Sequence, residues 1–142
     1  MRVFLDTNIL LDVLLNRQPF ATDSAGVIQR CEALSAKMFI AWHGLATAYY
    51  LLKRGRTEME TLAEVDKILA WAQIAEGTDA HARQARSLGF GDFEDALQAV
   101  AATACAADWI VTRNVSDFTL SHVQVLAPAD FLLNFLAPTI PL

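Results

Sequence analysis

Arg2-Val3-Phe4-Leu5-Asp6-Thr7-Asn8 is a short apolar run that ends on an acid, a hydroxyl and an amide. Arg2 to Leu5 reads as a buried strand. Asn8 to Leu15 carries a helical pattern that stops near Asn16-Arg17-Gln18-Pro19. The polar residues therefore fall where a strand hands over to a helix. The alternation continues along the chain. A helix is expected from about Phe20 to Leu34, a strand at Met38 to Ala41, and a helix from His43 to Arg54 ended at Gly55. Thr57-x-x-Glu60 is a capping-box signature, and the helix it opens is expected to bury Leu62, Val65, Leu69 and Ala72. Gln73 to Glu76 reads as a strand and Asp79 to Ser87 as a short helix. Asp92 to Ala107 is a helix with alanine on nearly every side, which allows close packing as a central element. Trp109 to Thr112 and Val123 to Leu126 are strands, and Pro128 to Phe135 is a last helix with proline near its start. Strands alternating with helices predict a three-layer α/β fold with a mainly parallel sheet, as one domain over 1–142.

Three acids acquire meaning from that order. Asp6 and Asp117 follow strand ends, and Asp95 sits in the first turn of the alanine-rich helix. In an open parallel sheet, ligands bind outside the carboxyl ends of the strands, where helix N-termini also point. All three can converge on one crevice. Carboxylates brought together repel unless a hard divalent cation neutralises them. Each acid also has a plainer role. Asp6 is equally readable as an N-cap, Asp92 and Asp95 are spaced as N-cap and N3, and Asp117 suits a turn. Asp95 resists the plain role, because no lysine or arginine occurs between Arg86 and Arg113 to pair with it. Glu94 is expected to face solvent beside the site, and Asp108 to be structural.

Hydrophobic residues make up 54% of the 142 and charged ones 19%, which excludes a disordered chain. The net charge of -5 argues against nucleic-acid binding through a broad basic surface. It leaves room for a nuclease, since acids that ligate metal count as negative in the formal sum. Lys53, Arg54 and Arg56 cluster around Gly55, and Arg113 lies beside the expected site. Cys31 and Cys105 stand alone within helical patterns, which gives neither a disulfide framework nor a zinc site and suits a reduced, cytoplasmic setting. Asp6 and Asn8 interrupt the N-terminal apolar stretch, so no signal peptide is expected, and the apolar tail from Phe131 is too short to span a bilayer.

Three motifs in order resemble the PIN domain, a family of metal-dependent ribonucleases, and within it the branch of VapC toxins. Asp6-Thr-Asn-Ile-Leu-Leu-Asp12 is similar to the family's opening motif. Asp92-Phe-Glu-Asp-Ala-Leu-Gln-Ala99 is similar to its central acidic helix, and Ile110-Val-Thr-Arg-Asn-Val-Ser-Asp-Phe118 to its closing motif. The resemblance covers nearly the whole chain. It implies a parallel sheet with helices on both faces, Mg²⁺ or Mn²⁺ in the crevice, and cleavage of RNA. Asp6, Asp95 and Asp117 would be catalytic metal-site acids, joined by Asp92. Asn8, Thr112 and Asn114 would orient them, with Asn114 standing where many relatives carry another aspartate. Thr47 stands where relatives place a glutamate on the helix after the second strand. A threonine hydroxyl cannot replace a carboxylate, unless Glu94 or Asp92 compensates.

The expected activity is endonucleolytic hydrolysis of RNA phosphodiesters, with cations activating a water and stabilising the phosphate. Arg113 would hold a flanking phosphate, and Lys53, Arg54 and Arg56 would contact the RNA backbone. A toxin of a toxin–antitoxin pair would have an antitoxin protein as partner, and the apolar composition adds an expected homodimer. Two rivals remain open. One is phosphotransfer through a strand-end aspartate, against which the missing lysine after a later strand counts. The other is a degenerate PIN module that binds RNA or a partner without cutting it.

Overall fold

The structure is a computed structural model, which describes residues 1–141. Five parallel strands form one sheet in the order β3-β2-β1-β4-β5. They are β1 (Arg2–Leu5), β2 (Lys37–Ala41), β3 (Ala72–Ala75), β4 (Trp109–Val111) and β5 (Gln124–Leu126). Seven helices cover the faces: α1 (Thr7–Leu14), α2 (Phe20–Ala33), α3 (Trp42–Leu52), α4 (Glu58–Trp71), α5 (Asp79–Ser87), α6 (Phe93–Ala104) and α7 (Pro128–Asn134). This is the expected three-layer α/β arrangement, with a sheet that is parallel throughout.

The period-two alternation of β1 assigns the faces. Val3 and Leu5 point into a core shared with Ile9, Leu10, Val27, Ala48, Ile68 and Phe131, which come from α1, α2, α3, α4 and α7. Phe4 points the other way, with Phe39 and Ile110, against Ala99 and Ala102 of α6 and Cys105 just past its end. The alanines of α6 let its backbone lie close to the sheet, and α5 covers its outer side through Ala85 against Ala96 and Val100. Both cysteines are buried and free. No helix among the described residues is long and apolar enough to cross a membrane.

Element boundaries fall within a few residues of expectation, but two features differ. The α4 stripe is turned. Thr61 and Ile68 are fully buried, while Leu62 and Leu69 are 46% and 47% exposed. Ala72 starts β3 directly after α4, with no loop between them. Apolar spacing identifies an amphipathic helix, but the face it buries depends on its neighbours. Here α4 rests on α3 at the margin of the sheet and leaves part of its apolar face uncovered. Second, Val115–Phe118, expected as a turn, is a 3-10 helix whose Phe118 plugs the core beside α6.

Candidate active site

The strand order reverses between β1 and β4, the two strands that pair at the centre of the sheet. Crossovers leave this point in opposite directions, which opens a crevice beyond the carboxyl ends of both strands. Asp6 follows β1 and Thr112 follows β4, so both stand at this switch point. The N-terminus of α6 enters from one side and the 3-10 turn from the other. Asn8, Asp92, Glu94, Asp95, Asn114 and Asp117 line the crevice.

Asp6 lies beneath the floor, 1% exposed. Its Oδ1 accepts from the Asn8 backbone N–H at 3.3 Å and from Gln98 Nε2 at 2.9 Å, and its Oδ2 accepts from Thr112 Oγ1 at 2.6 Å. Asp6 is therefore also the N-cap of α1. Burial raises its carboxyl above the ordinary range, and the donors from Thr112, Gln98 and Asn8 only partly offset that. Thr112 in turn accepts the Asn114 N–H at 3.0 Å, which fixes the loop that carries Asn114 and Asp117.

Asp92, Glu94 and Asp95 each place a carboxylate oxygen within 4.8 Å of the others. Asp92 N-caps α6 by accepting the Asp95 N–H at 3.0 Å. Asp95 feels the crowding most. Burial, then Glu94, Asp92, Asp6 and Asp117 in turn, push its carboxyl up to about 7. No lysine or arginine forms an ion pair with any of these five acids among the described residues.

Glu94 lines the crevice with its side chain 44% exposed, beside the site as expected, but it is not free. It is half-buried, accepting Gln98 Nε2 on both oxygens at 3.0 and 2.9 Å and lying 3.1 Å from His43 Nε2. Glu94 and Gln98 are four apart on one helix face, so the amide can reach both carboxylate oxygens. Gln98 is the residue that sequence reasoning missed. It is fully buried and links both sides of the site, for its Oε1 accepts the Thr7 N–H at 2.9 Å and the Thr7 hydroxyl at 3.3 Å. The available signal was a lone amide on the apolar face of an alanine helix. Gly44 packs on Thr7. A Cβ there would stand 2.7 Å from Thr7 Oγ1, so only glycine lets α3 close on α1.

The structure leaves other expected residues outside the crevice. Arg113 is taken by Asp12, donating from Nε at 2.7 Å and Nη2 at 3.2 Å, and its guanidinium lies 3.9 Å from the Phe20 ring centroid. A buried carboxylate claims the fork that was expected to hold a phosphate. Lys53, Arg54 and Arg56 sit past the far end of the 11-residue α3, about 16 Å along its axis from the crevice. Arg56 caps the Leu52 carbonyl and Lys53 lies over Tyr49. Thr47 is exposed, donates back to the His43 carbonyl at 3.0 Å and does not line the crevice. One turn earlier, His43 is what α3 brings to the acids. Asp108 is structural as expected, accepting the Arg2 N–H at 2.8 Å.

The acids fit a hard cation. The donors are oxygens only, three of them can share one ion, and no lysine or arginine among the described residues pairs with them. Comparison with known proteins bears on the family and the fold. Residues 2–116 match the sequence profile of the PIN domain. The chain belongs to the PIN domain family. No curated protein matches the sequence significantly. Among solved structures, this PIN domain is similar to a chain of VapBC2 from Rickettsia felis bound to a DNA fragment from their promoter. The TM-score there is 0.68 at 17% identity, covering 89% of this chain and 98% of that one. VapBC-1 from nontypeable Haemophilus influenzae gives 0.65 at 17%, covering 91% and 99%. FitAcB from Neisseria gonorrhoeae gives 0.64 at 14%, covering 89% and 98%. At such identities the likeness shows the PIN fold.

Proposed function

We propose that this PIN domain is a Mg²⁺- or Mn²⁺-dependent endoribonuclease and the toxin of a toxin–antitoxin pair. The observation that carries the reading is Asp95. Its carboxyl is pushed up to about 7 by burial and by four neighbouring acids, with no lysine or arginine paired to any of them among the described residues. A protein domain keeps such a cluster against its own repulsion where a cation is to be held.

In this reading Asp92, Glu94 and Asp95 hold the cation, with Asp117 completing the set from the opposite wall. A bound cation would supply charge for the phosphate oxygens and acidity for a water in phosphodiester hydrolysis. The remaining roles belong to the chain. Gln98 holds Glu94 and Asp6 in fixed orientations, and Thr112 holds the other oxygen of Asp6. Asn8 and Asn114 flank the crevice, where their amides can hydrogen-bond a phosphate.

A toxin needs restraint, and the surface supports a protein partner. Trp42, Tyr50, Met59, Leu62 and Leu69 are exposed around α3 and α4, and Leu133, Leu136 and Ile140 near the C-terminus. The reading carries an antitoxin and a homodimer. Purified protein should cleave single-stranded RNA with Mn²⁺ or Mg²⁺, stop with EDTA and stop in Asp95→Asn. RNA binding with no cleavage under any divalent cation would instead establish the non-cleaving module. Sedimentation that shows a monomer, with no partner encoded in the neighbouring reading frame, would remove the toxin role.

A further inference from the structure

A second concavity adjoins the acids and has no part in the chemistry above. It is a cavity of about 220 Å³ beyond the carboxyl ends of β2 and β3, roofed by α5 and α6. Its walls include Ala41, Ala75 and Ala101, one from each of β2, β3 and α6. His43, Glu76 and His81 contribute polar groups to its lining. Trp42 stands beside them, 71% exposed.

We propose that this cavity receives one nucleobase of the RNA strand, next to the phosphate held at the acidic crevice, and gives the enzyme a base preference. The proposal rests on the ribonuclease reading. Three observations carry it. First, His43 belongs to both places: it lines the cavity while its Nε2 lies 3.1 Å from Glu94 Oε1. Leu97, also in the lining, follows Glu94 by three residues on α6, so the two sites are about one helical turn apart. A strand whose phosphate meets Glu94 and Asp95 has a neighbouring base within reach.

Second, the lining suits a flat object that is apolar on its faces and polar at its edge. Small alanine walls admit a ring, and exposed aromatic rings are the usual stacking surface for single-stranded bases. Third, the polar groups have complementary roles. His81 Nδ1 accepts the Thr78 N–H at 3.2 Å, so the neutral ring carries its proton on Nε2 and has a donor to spare. Glu76 offers only acceptors. A donor and an acceptor in one lining can answer a base edge. An aliphatic side chain from a protein partner would leave both unmatched, at the cost of desolvating them.

The test is an NMR titration of the full chain in Mg²⁺ with nucleoside 5′-monophosphates, and with ribose 5-phosphate as control. It is read at the Trp42 indole N–H and the His81 ring. Nucleotides should shift both saturably, and ribose 5-phosphate should not. Ala82→Phe, on the exposed face of α5 at the cavity, and His81→Ala should each weaken nucleotide binding roughly tenfold, the scale of one stacked base. Sequencing the ends of cleaved random RNA gives the second readout. One base should be enriched at one fixed position from the cut, and Ala82→Phe should flatten that enrichment. Equal shifts from ribose 5-phosphate, or cleavage without base enrichment, would overturn the cavity assignment and leave the nuclease intact. Nucleotide-specific shifts without any cleavage would keep the cavity as a base site and overturn the nuclease. Shifts produced by the neighbouring gene's protein and not by nucleotides would overturn the proposal in favour of a protein side chain.

Discussion

Asp6 and Asp12 lie six residues apart in one motif, and both are buried, at 1% and 0% exposure. They are stabilised in opposite ways. Asp12 meets a cation, the bidentate Arg113, with Ser24 donating to the same carboxylate at 3.4 Å. Its charge is balanced inside the fold, and the pair ties α1 to the loop after β4. Asp6 receives only neutral donors, from Asn8, Gln98 and Thr112. They orient the carboxylate without cancelling its charge. A buried acid with a cation is architecture, whereas one held only by neutral donors keeps its charge uncancelled beside the acids that line the crevice.

That distinction has measurable consequences. Arg113→Ala leaves Asp12 charged and unpaired in the core, and should destabilise the fold by about 3–5 kcal/mol in urea denaturation. A cost no larger than that of neutralising Asp6 would erase the difference between the two aspartates. Gln98→Leu is next. It strips the Thr7 N–H of its acceptor and frees Glu94, so about 1–3 kcal/mol should be lost, together with weaker Mg²⁺ affinity in calorimetric titration. Asp6→Asn keeps an acceptor for Gln98 and removes a costly charge, so it should change apo stability by roughly 1 kcal/mol or less. It should also reduce the rise in melting temperature that millimolar Mg²⁺ gives the wild type by mass action.

The pH dependence sharpens the same point. The folded Asp95 carboxyl titrates at about 7 against an ordinary 3.8, so between those values the folded chain holds a proton that the unfolded chain has released. Apo stability contributed by this group is therefore present below about pH 4 and lost as pH rises toward 7. Asp95→Asn should flatten that part of a denaturation series, and saturating Mg²⁺ should reduce the slope in the wild type by favouring the ionised form. An unchanged slope in Asp95→Asn would show that the crowding at α6 is relieved in some other way. The smallest effect belongs to Thr47→Glu. On an exposed helix position it should change stability by no more than about 0.5 kcal/mol. It should leave Mg²⁺ affinity unaltered, while Glu94→Gln weakens it severalfold. A gain in affinity at position 47 would return the fourth acid to α3.

The sequence alone determined which segments alternate, because the strand and helix periods of short apolar runs are local properties. It determined that the sheet would be mainly parallel, since each strand is followed by a helix before the next. It also pointed to the acids at the ends of β1 and α6, because position within an element is local too. The faces were not legible. Leu62 and Leu69 form the cleaner apolar stripe, yet Thr61 and Ile68 are what α4 buries, since the neighbouring α3 and sheet decide which side is covered. Partnership was not legible either. Arg113 lies 101 residues from Asp12 and Gln98 lies 92 from Asp6, and no local pattern encodes such meetings. Only the tertiary structure tied Glu94 to Gln98, withdrew Arg113 from the crevice and brought His43 to the acids. Those outcomes depend on which long-range donor reaches a carboxylate, and that is fixed by the packing of α1, α3 and α6 around the point where the strand order reverses.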